Sequence, residues 1–309
     1  MDRLTDRGTV RALLRRYGLR PRKALGQHFM VSDAALGRLL EAAELDRHDV
    51  VVEVGPGLGT LTGKLAERVR LVIALELDRA LLEVLAETCT GRPVAVVRGD
   101  ALAVNLDDLV HHHTGGEYGR GGRPYKVVAN LPYYITGPFL GRLVRENRFW
   151  STAVLTVQLE VARRLVARPG TKEYGALTLL VAYHAEVEVV GRIPPGAFYP
   201  PPEVTSAIVR LRRRERPPVE VRDAEGLFRL VRMAFGRRRK TILNALAGAD
   251  GGASRCEWQA VLERAGIDPV RRGESLSLAE FARLAEAVYC GRGWHCRATD
   301  QSDQRKNEL

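Results

Sequence analysis

Between Val50 and about Leu165 the sequence switches repeatedly between two hydrophobic periods. That alternation limits the fold more than any other feature. Apolar runs near 50–55, 71–76, 93–98, 126–130 and 153–159 read as buried strands, and helical patterns fill the gaps at about 60–69, 79–88, 136–146 and 158–167. Alternating strand and helix implies parallel pairing with right-handed crossovers, so an α/β doubly wound sheet is expected. In such sheets the chemistry lies beyond the carboxyl ends of the strands.

Those strand ends carry the candidate residues. The first runs into Glu53-Val54-Gly55-Pro56-Gly57-Leu58-Gly59. Glycines at Gly55 and Gly57 let backbone approach a ligand, although a sheet can use such a turn for tight packing alone. The spacing is GxGxG, not the GxGxxG of a dinucleotide site. Glu76, ending the second strand, can accept two hydrogen bonds from a ribose diol. Asp100, after the third, can accept from an adenine amine or equally serve as a helix N-cap. Together these three ends point to an adenosine-containing cofactor.

The fourth strand delivers Asn130-Leu131-Pro132-Tyr133-Tyr134. Pro132 stiffens the turn, and Leu131 is biased to extended backbone by the proline after it. The Asn130 side-chain carbonyl and the Leu131 carbonyl can both accept from one exocyclic amine, which localises the nitrogen lone pair and makes an aryl amine a better nucleophile. Tyr133 can stack on an unstacked base and Phe198 can close its other face. A strand-ending turn with inward aromatics is the plainer reading of the same five residues. Packing is the expected role of Tyr134.

Elsewhere the pattern is less regular. A basic helix over Thr9–Tyr17 is expected, capped by Thr9, and a helix over Ala34–Ala43 capped by Ser32 or Asp33. Residues 111–122 read as a flexible surface insertion, whose His111–His113 run lacks an arranged carboxylate or cysteine, so no metal site is expected. Strand-like runs at Glu186–Arg192 and Ser206–Arg212 flank a proline-rich hinge, Phe198–Pro202. Beyond Arg214 helical periodicity takes over at 224–246, 257–265 and 278–289. The expected division is 1–214, 215–290 and a frayed tail from Gly291.

Charge is placed unevenly. The net charge is +11, yet residues 1–26 contribute +6 and 207–245 contribute +8, leaving the remainder at −3. Two basic stretches flanking an acidic-to-neutral body suit a polyanion partner, against the alternative of solvated arginine-rich faces. Arg237-Arg238-Arg239-Lys240, at the start of a helical segment, is the candidate phosphate contact. Scattered cysteines at 89, 256, 290 and 296 suit a reducing cytosol, and neither a secretory signal nor an apolar run long enough to span a bilayer is read.

GQHFM at 26–30, VEVGPGLGTLT at 52–62, NLPYYIT at 130–136, FYPPPEVTSAIVRL at 198–211 and FGRRRKTILNAL at 235–246 resemble the ribosomal RNA adenine N6-dimethyltransferase family, from about residue 15 to 290. The resemblance implies a Rossmann-like class I S-adenosylmethionine-dependent methyltransferase domain with a small all-helical C-terminal domain. It implies cofactor contacts at His28, Met30, Gly55, Glu76, Asp100 and Asn130. It also implies dimethylation of two adjacent adenosines in the 3′-terminal hairpin loop of small-subunit rRNA, on the immature small ribosomal subunit in the cytoplasm, with a monomeric enzyme and no metal. His28 and Met30 stand where the family usually has Asn and Leu, and the 111–122 insertion is long for it. Rival readings are the antibiotic-resistance branch acting on large-subunit rRNA, a non-catalytic RNA-binding assembly factor, and a nicotinamide oxidoreductase disfavoured by the glycine spacing.

Overall fold

The computed structural model describes residues 4–22, 26–249 and 253–290, so the expected tail from Gly291 lies outside the described residues. The described chain divides into two units, Met1–Ala167 with Leu180–Pro217, and Arg168–Leu179 with Pro218–Leu309.

The first unit begins with helix α1 (Arg7–Arg16). Its cap is Asp6, not Thr9: the Asp6 carboxylate accepts from the Thr9 backbone N–H at 2.7 Å. A carboxylate at the cap also faces the positive end of the helix dipole. The short strand β1 (Phe29–Met30) precedes helix α2 (Asp33–Ala43), which Ser32 caps. Then the alternation begins: β2 (Val50–Val54), α3 (Thr60–Ala66), β3 (Leu71–Glu76), α4 (Arg79–Thr88), β4 (Val94–Arg98), α5 (Leu106–His113), β5 (Tyr125–Asn130), α6 (Thr136–Glu146), β6 (Trp150–Gln158) and α7 (Leu159–Leu165). Helix α8 (Ala176–His184) leads into β7 (Ala185–Ile193), β8 (Phe198–Tyr199) and β9 (Ser206–Arg213).

The seven-stranded sheet has the order β4-β3-β2-β5-β6-β9-β7. β2 pairs in parallel with β3 and β5, β3 with β4, and β5 with β6, while β9 runs antiparallel between β6 and β7. All five residues of β2 are buried, which is why Val50–Val54 reads as a continuous apolar run and not as an alternation. The glutamate within it is the exception, and it lies at the functional end.

One face is closed by α2, whose Leu36, Leu39 and Leu40 pack in a cluster with Val51, Val72, Val128, Val154 and Ile208. Helix α1 packs separately, with Val10 and Leu14 against Phe29, Leu58, Leu81 and Val84. The proline-rich hinge contains β8, which pairs antiparallel with β1 through Phe29↔Tyr199 and Met30↔Phe198. The 111–122 segment is more ordered than expected of a flexible insertion. His111–His113 form the last turn of α5, and Tyr118 is buried with its hydroxyl donating to the His48 carbonyl.

The second unit holds α9 (Ala224–Gly236), α10 (Ile242–Ala247), α11 (Arg255–Arg264) and α12 (Leu278–Cys290). The single helical stretch expected over 224–246 is two helices. α9 ends at Gly236, and Thr241 starts α10 by accepting from the Asn244 N–H. Arg237–Lys240 therefore form the turn between helices. Residues 168–179 go with this unit, unlike the boundary expected at 214, because the Tyr174 ring packs on Phe235 and its hydroxyl donates to the Leu276 carbonyl at 2.9 Å.

Leu39 is fully buried at the centre of the α2 face. Leu39→Ala should cost roughly 2–5 kcal/mol, read as a lowered urea midpoint with an unchanged m-value.

Candidate active site

Along the carboxyl edge of β2, β3 and β5 runs a cleft formed wholly within the first unit. Its walls include His28, Glu53, Gly55, Glu76, Asp100 and Asn130. The parallel sheet produces this convergence: adjacent strands of the same sense end side by side, so residues distant in sequence meet at one rim.

The glycine turn after β2 gives the cleft its floor. Gly55 and Gly57 have φ of +68° and +62°, conformations that cost an L-residue about 1–2 kcal/mol. Space is short as well. A Cβ on Gly55 would meet Pro132 Cδ at 3.4 Å, and one on Gly57 would meet the Phe29 ring at 3.1 Å. The Gly55–Pro132 approach joins the first and fourth strand ends.

Glu76 is buried and already accepts two backbone hydrogen bonds, from Gly57 N–H at 3.2 Å and Asp78 N–H at 2.8 Å. Burial raises its pKa, and those bonds oppose the rise. Each carboxylate oxygen keeps a further acceptor site, so the pair is oriented and not consumed. Asp100 is exposed at the rim. Its carboxylate accepts from the Leu102 N–H at 2.8 Å, so it does the turn-capping work of the plainer reading while still lining the cleft.

Asn130 is oriented by a segment far away in sequence. Its Nδ2 donates to the His28 carbonyl at 2.9 Å. The opposite amide orientation would set oxygen against oxygen, so Oδ1 is the atom left to accept. His28 is fixed in turn. Its Nδ1 lies 2.7 Å from the Pro200 carbonyl, which requires the proton on Nδ1, and its ring stacks on Tyr133 with centroids 5.6 Å apart. The Tyr133 hydroxyl is hydrogen-bonded to Ser206, and burial raises its pKa.

Two aromatic assignments change. Phe198 is wholly buried in the core cluster with Met30 and Ile208, so it cannot form the open face of a base slot. Its register partner Met30 is almost as buried, though it reaches the cleft wall. Tyr134, for which packing was expected, is 52% exposed and lines the cleft. Sequence reasoning also missed Leu77, an apolar side chain 46% exposed on the cleft wall directly after Glu76. An apolar residue following a strand-ending acid was the available signal. Gln27 was missed too; its amide donates to Asp78 at 2.9 Å beneath the rim.

The basic stretches are partly neutralised from within. Arg210 pairs with Glu44 and Glu188, Arg212 with Glu44, and Arg214 with Glu186. Arg213 lies over the Trp150 ring. In the second unit Arg238 pairs with Glu274 at 2.6 Å and donates to the carbonyls of Lys172 and Tyr174, so it holds the α9–α10 turn in place. Arg237, Arg239 and Lys240 are exposed, and none has an ion pair among the described residues. Among the described residues no group of three or more His, Cys, Asp or Glu is placed to hold a metal, and no helix is long and apolar enough to cross a membrane.

Gly57→Ala should destabilise the first unit by about 1–2 kcal/mol through its positive φ, with the Phe29 contact adding to the loss. Urea denaturation measures it. A neutral result would mean that the turn relaxes freely.

Residues 18–288 match the family model described as ribosomal RNA adenine dimethylase. A protein named ribosomal RNA small subunit methyltransferase A, from Pelotomaculum thermopropionicum, is 52% identical over 279 residues, covering 90% of this chain and 95% of that relative. Among solved structures, a dimethyladenosine transferase from Plasmodium falciparum superposes with TM-score 0.66 at 25% identity, covering 82% of this chain and 95% of that one. The 23S rRNA methyltransferase ErmE superposes with TM-score 0.61 at 29% identity, covering 84% and 98%. With the glycine turn, the strand-end acids and the oriented asparagine in one cleft, and a family match across nearly the whole chain, this protein belongs to the ribosomal RNA adenine dimethylase family.

Proposed function

We propose that this chain transfers methyl groups from S-adenosylmethionine to the N6 amines of two adjacent adenosines in the 3′-terminal hairpin loop of small-subunit rRNA. It acts as a monomer on the immature small subunit in the cytoplasm. The observation that carries the reading is the fixed orientation of Asn130 at the end of an acid-lined cleft.

The residues present fit the cofactor. The glycine turn offers bare backbone that a Cβ would obstruct, and Glu53 Oε2 is buried without a hydrogen-bond partner among the described residues. Glu76 is the acceptor for ribose hydroxyls through its unused lone pairs, Asp100 for the adenine amine, and His28, Met30 and Gly55 complete the wall. When bound, the cofactor supplies an electrophilic methyl on a positively charged sulfur.

The protein's share of the chemistry is positioning. Asn130 Oδ1 and the Leu131 carbonyl accept the two N6–H bonds of the target adenine. That holds the amine with its lone pair out of conjugation and directed into the cleft. Pro132 keeps the turn rigid against Gly55. Tyr133, held through Ser206 and stacked with His28, is the platform for the extruded base. No general base of high strength is required, because an aryl amine loses its proton readily once alkylated.

Arg237, Arg239 and Lys240 are the phosphate contacts, and Arg238 shapes the turn that presents them. The small-subunit target rests on the 52% identical relative named for that subunit. The likeness to ErmE, a 23S rRNA methyltransferase, makes large-subunit rRNA the rival substrate. Primer extension on both rRNAs after incubation with enzyme and cofactor separates them: stops at two adjacent small-subunit adenosines are expected, and a large-subunit stop alone would reverse the assignment.

Asn130→Ala should lower methyl transfer from labelled cofactor on the order of a hundredfold, with rRNA affinity reduced far less. Near-normal transfer would end the positioning role. Replacing Arg239 and Lys240 together by alanine should weaken rRNA binding and flatten the slope of log K against log salt by roughly 1–2. Arg238→Ala should instead lower the melting temperature.

A further inference from the structure

Glu53 has a task that the proposed chemistry leaves unassigned. It is the one charged residue of β2, it is only 1% exposed, and it lines the same cleft as Glu76 and Asp100. Its Oε2 has no hydrogen-bond partner among the described residues. Thr62 on α3 sits beside it, near enough to oppose a rise in its pKa but short of a hydrogen bond of regular geometry. An ionised carboxylate in this setting would be a buried, uncompensated charge. Among the described residues no lysine or arginine lines the cleft.

The groups facing Glu53 add negative charge or none. Glu76 comes from β3, and the Cys89 thiol at the end of α4 feels the Glu53 charge, with Arg92 acting on Cys89 from beyond. Asp100 and His28 share the cleft wall. Burial, reinforced by the charge of Glu76, pushes the Glu53 pKa up to about 8. With no cation facing it, Glu53 is therefore mainly protonated at neutral pH.

We propose that Glu53 is a proton-linked counter-charge for the cofactor, giving up its proton when a cation enters the cleft and so favouring the charged methyl donor over its neutral-sulfur product. This rests on the S-adenosylmethionine reading. The donor carries a sulfonium and an ammonium against one carboxylate. S-adenosylhomocysteine keeps the ammonium and carboxylate but has lost the sulfonium charge. The acids thus face one more positive charge before methyl transfer than after it, and re-protonation of Glu53 accompanies the loss of that charge. The device favours product release without any movement of the fold.

The sign follows from linkage. A group protonated in the free protein and ionised in the complex makes binding tighten as pH rises towards its free pKa. S-adenosylmethionine affinity should rise roughly tenfold or more from pH 6 to 7.5, and that of S-adenosylhomocysteine much less.

Isothermal titration calorimetry on the full chain tests this, in buffers of different ionisation enthalpy at pH 7. The expected result is release of close to one proton per S-adenosylmethionine bound and clearly less per S-adenosylhomocysteine. The sulfonium makes the donor's ammonium the more acidic of the two, so the share of release due to the amine is read from the Glu53→Gln protein, which keeps the amine and lacks the carboxylate. Glu53→Gln should abolish the difference in proton release and narrow the affinity ratio between the two ligands. Equal release with the two ligands in the unaltered protein overturns the proposal, and needs no variant to fold. So does a difference in release that survives Glu53→Gln. Binding of the donor without proton release removes this inference alone; no binding at all removes the cofactor reading with it.

Discussion

Everything at the cleft depends on parallel pairing in the centre of the sheet. Strands β2, β3, β4 and β5 run in one sense, so their carboxyl ends share an edge. The constraint comes from burial: β2 is covered on both faces and must satisfy its backbone within the sheet. That arrangement permits a close-packed apolar centre and a polar rim without conflict between them. The Asn130–His28 hydrogen bond then ties the rim to the segment before α2, and the β1–β8 pair ties that segment to the chain before β9. Three distant stretches thereby fix one amide.

How much of this was legible in the sequence follows from how local each signal is. The alternation of strands and helices is a local pattern, and so are the glycine turn, Glu76 at a strand end and Asn130 before its proline. Each can be read from a window of a few residues, and each lies on the cleft. Phe198 illustrates the opposite case. Its neighbours Tyr199 and Pro200 suggest an exposed aromatic turn, but its ring is buried because β8 pairs with β1, a contact across nearly 170 residues that no local period records. Tyr134 was misjudged for the same reason. That Tyr134 lines the cleft depends on the tight turn at Tyr133–Ile135, not on residue type.

Charge was the harder quantity to read. A count over 207–245 treats every arginine alike, whereas Arg210 and Arg212 on β9 and Arg214 just after it face Glu44, Glu186 and Glu188. These are cross-strand and sheet-to-helix pairs that only the tertiary fold creates. Exposed ion pairs contribute little to stability. Their consequence here is to remove much of the basic surplus from β9, leaving Arg237, Arg239 and Lys240 as the exposed, unpaired cations of the expected phosphate-binding run among the described residues.

The division of sign between cleft and surface has a physical logic. A chain that must hold a cationic cofactor and a polyanionic substrate cannot use one kind of charge for both. Cations lining the cleft would repel the methyl donor, and acids on the RNA-facing surface would repel the phosphates. Burial separates the two. Inside the cleft the low polarity magnifies each acid's effect on a bound cation, and the same low polarity makes an unoccupied carboxylate expensive. Glu53 meets that conflict by remaining neutral until a cation is present, whereas Glu76 meets it through the backbone N–H groups of Gly57 and Asp78. Two acids adjacent in one cleft thus use different means of tolerating burial, and the one whose Oε2 has no hydrogen-bond partner among the described residues is the one free to respond to the ligand's charge.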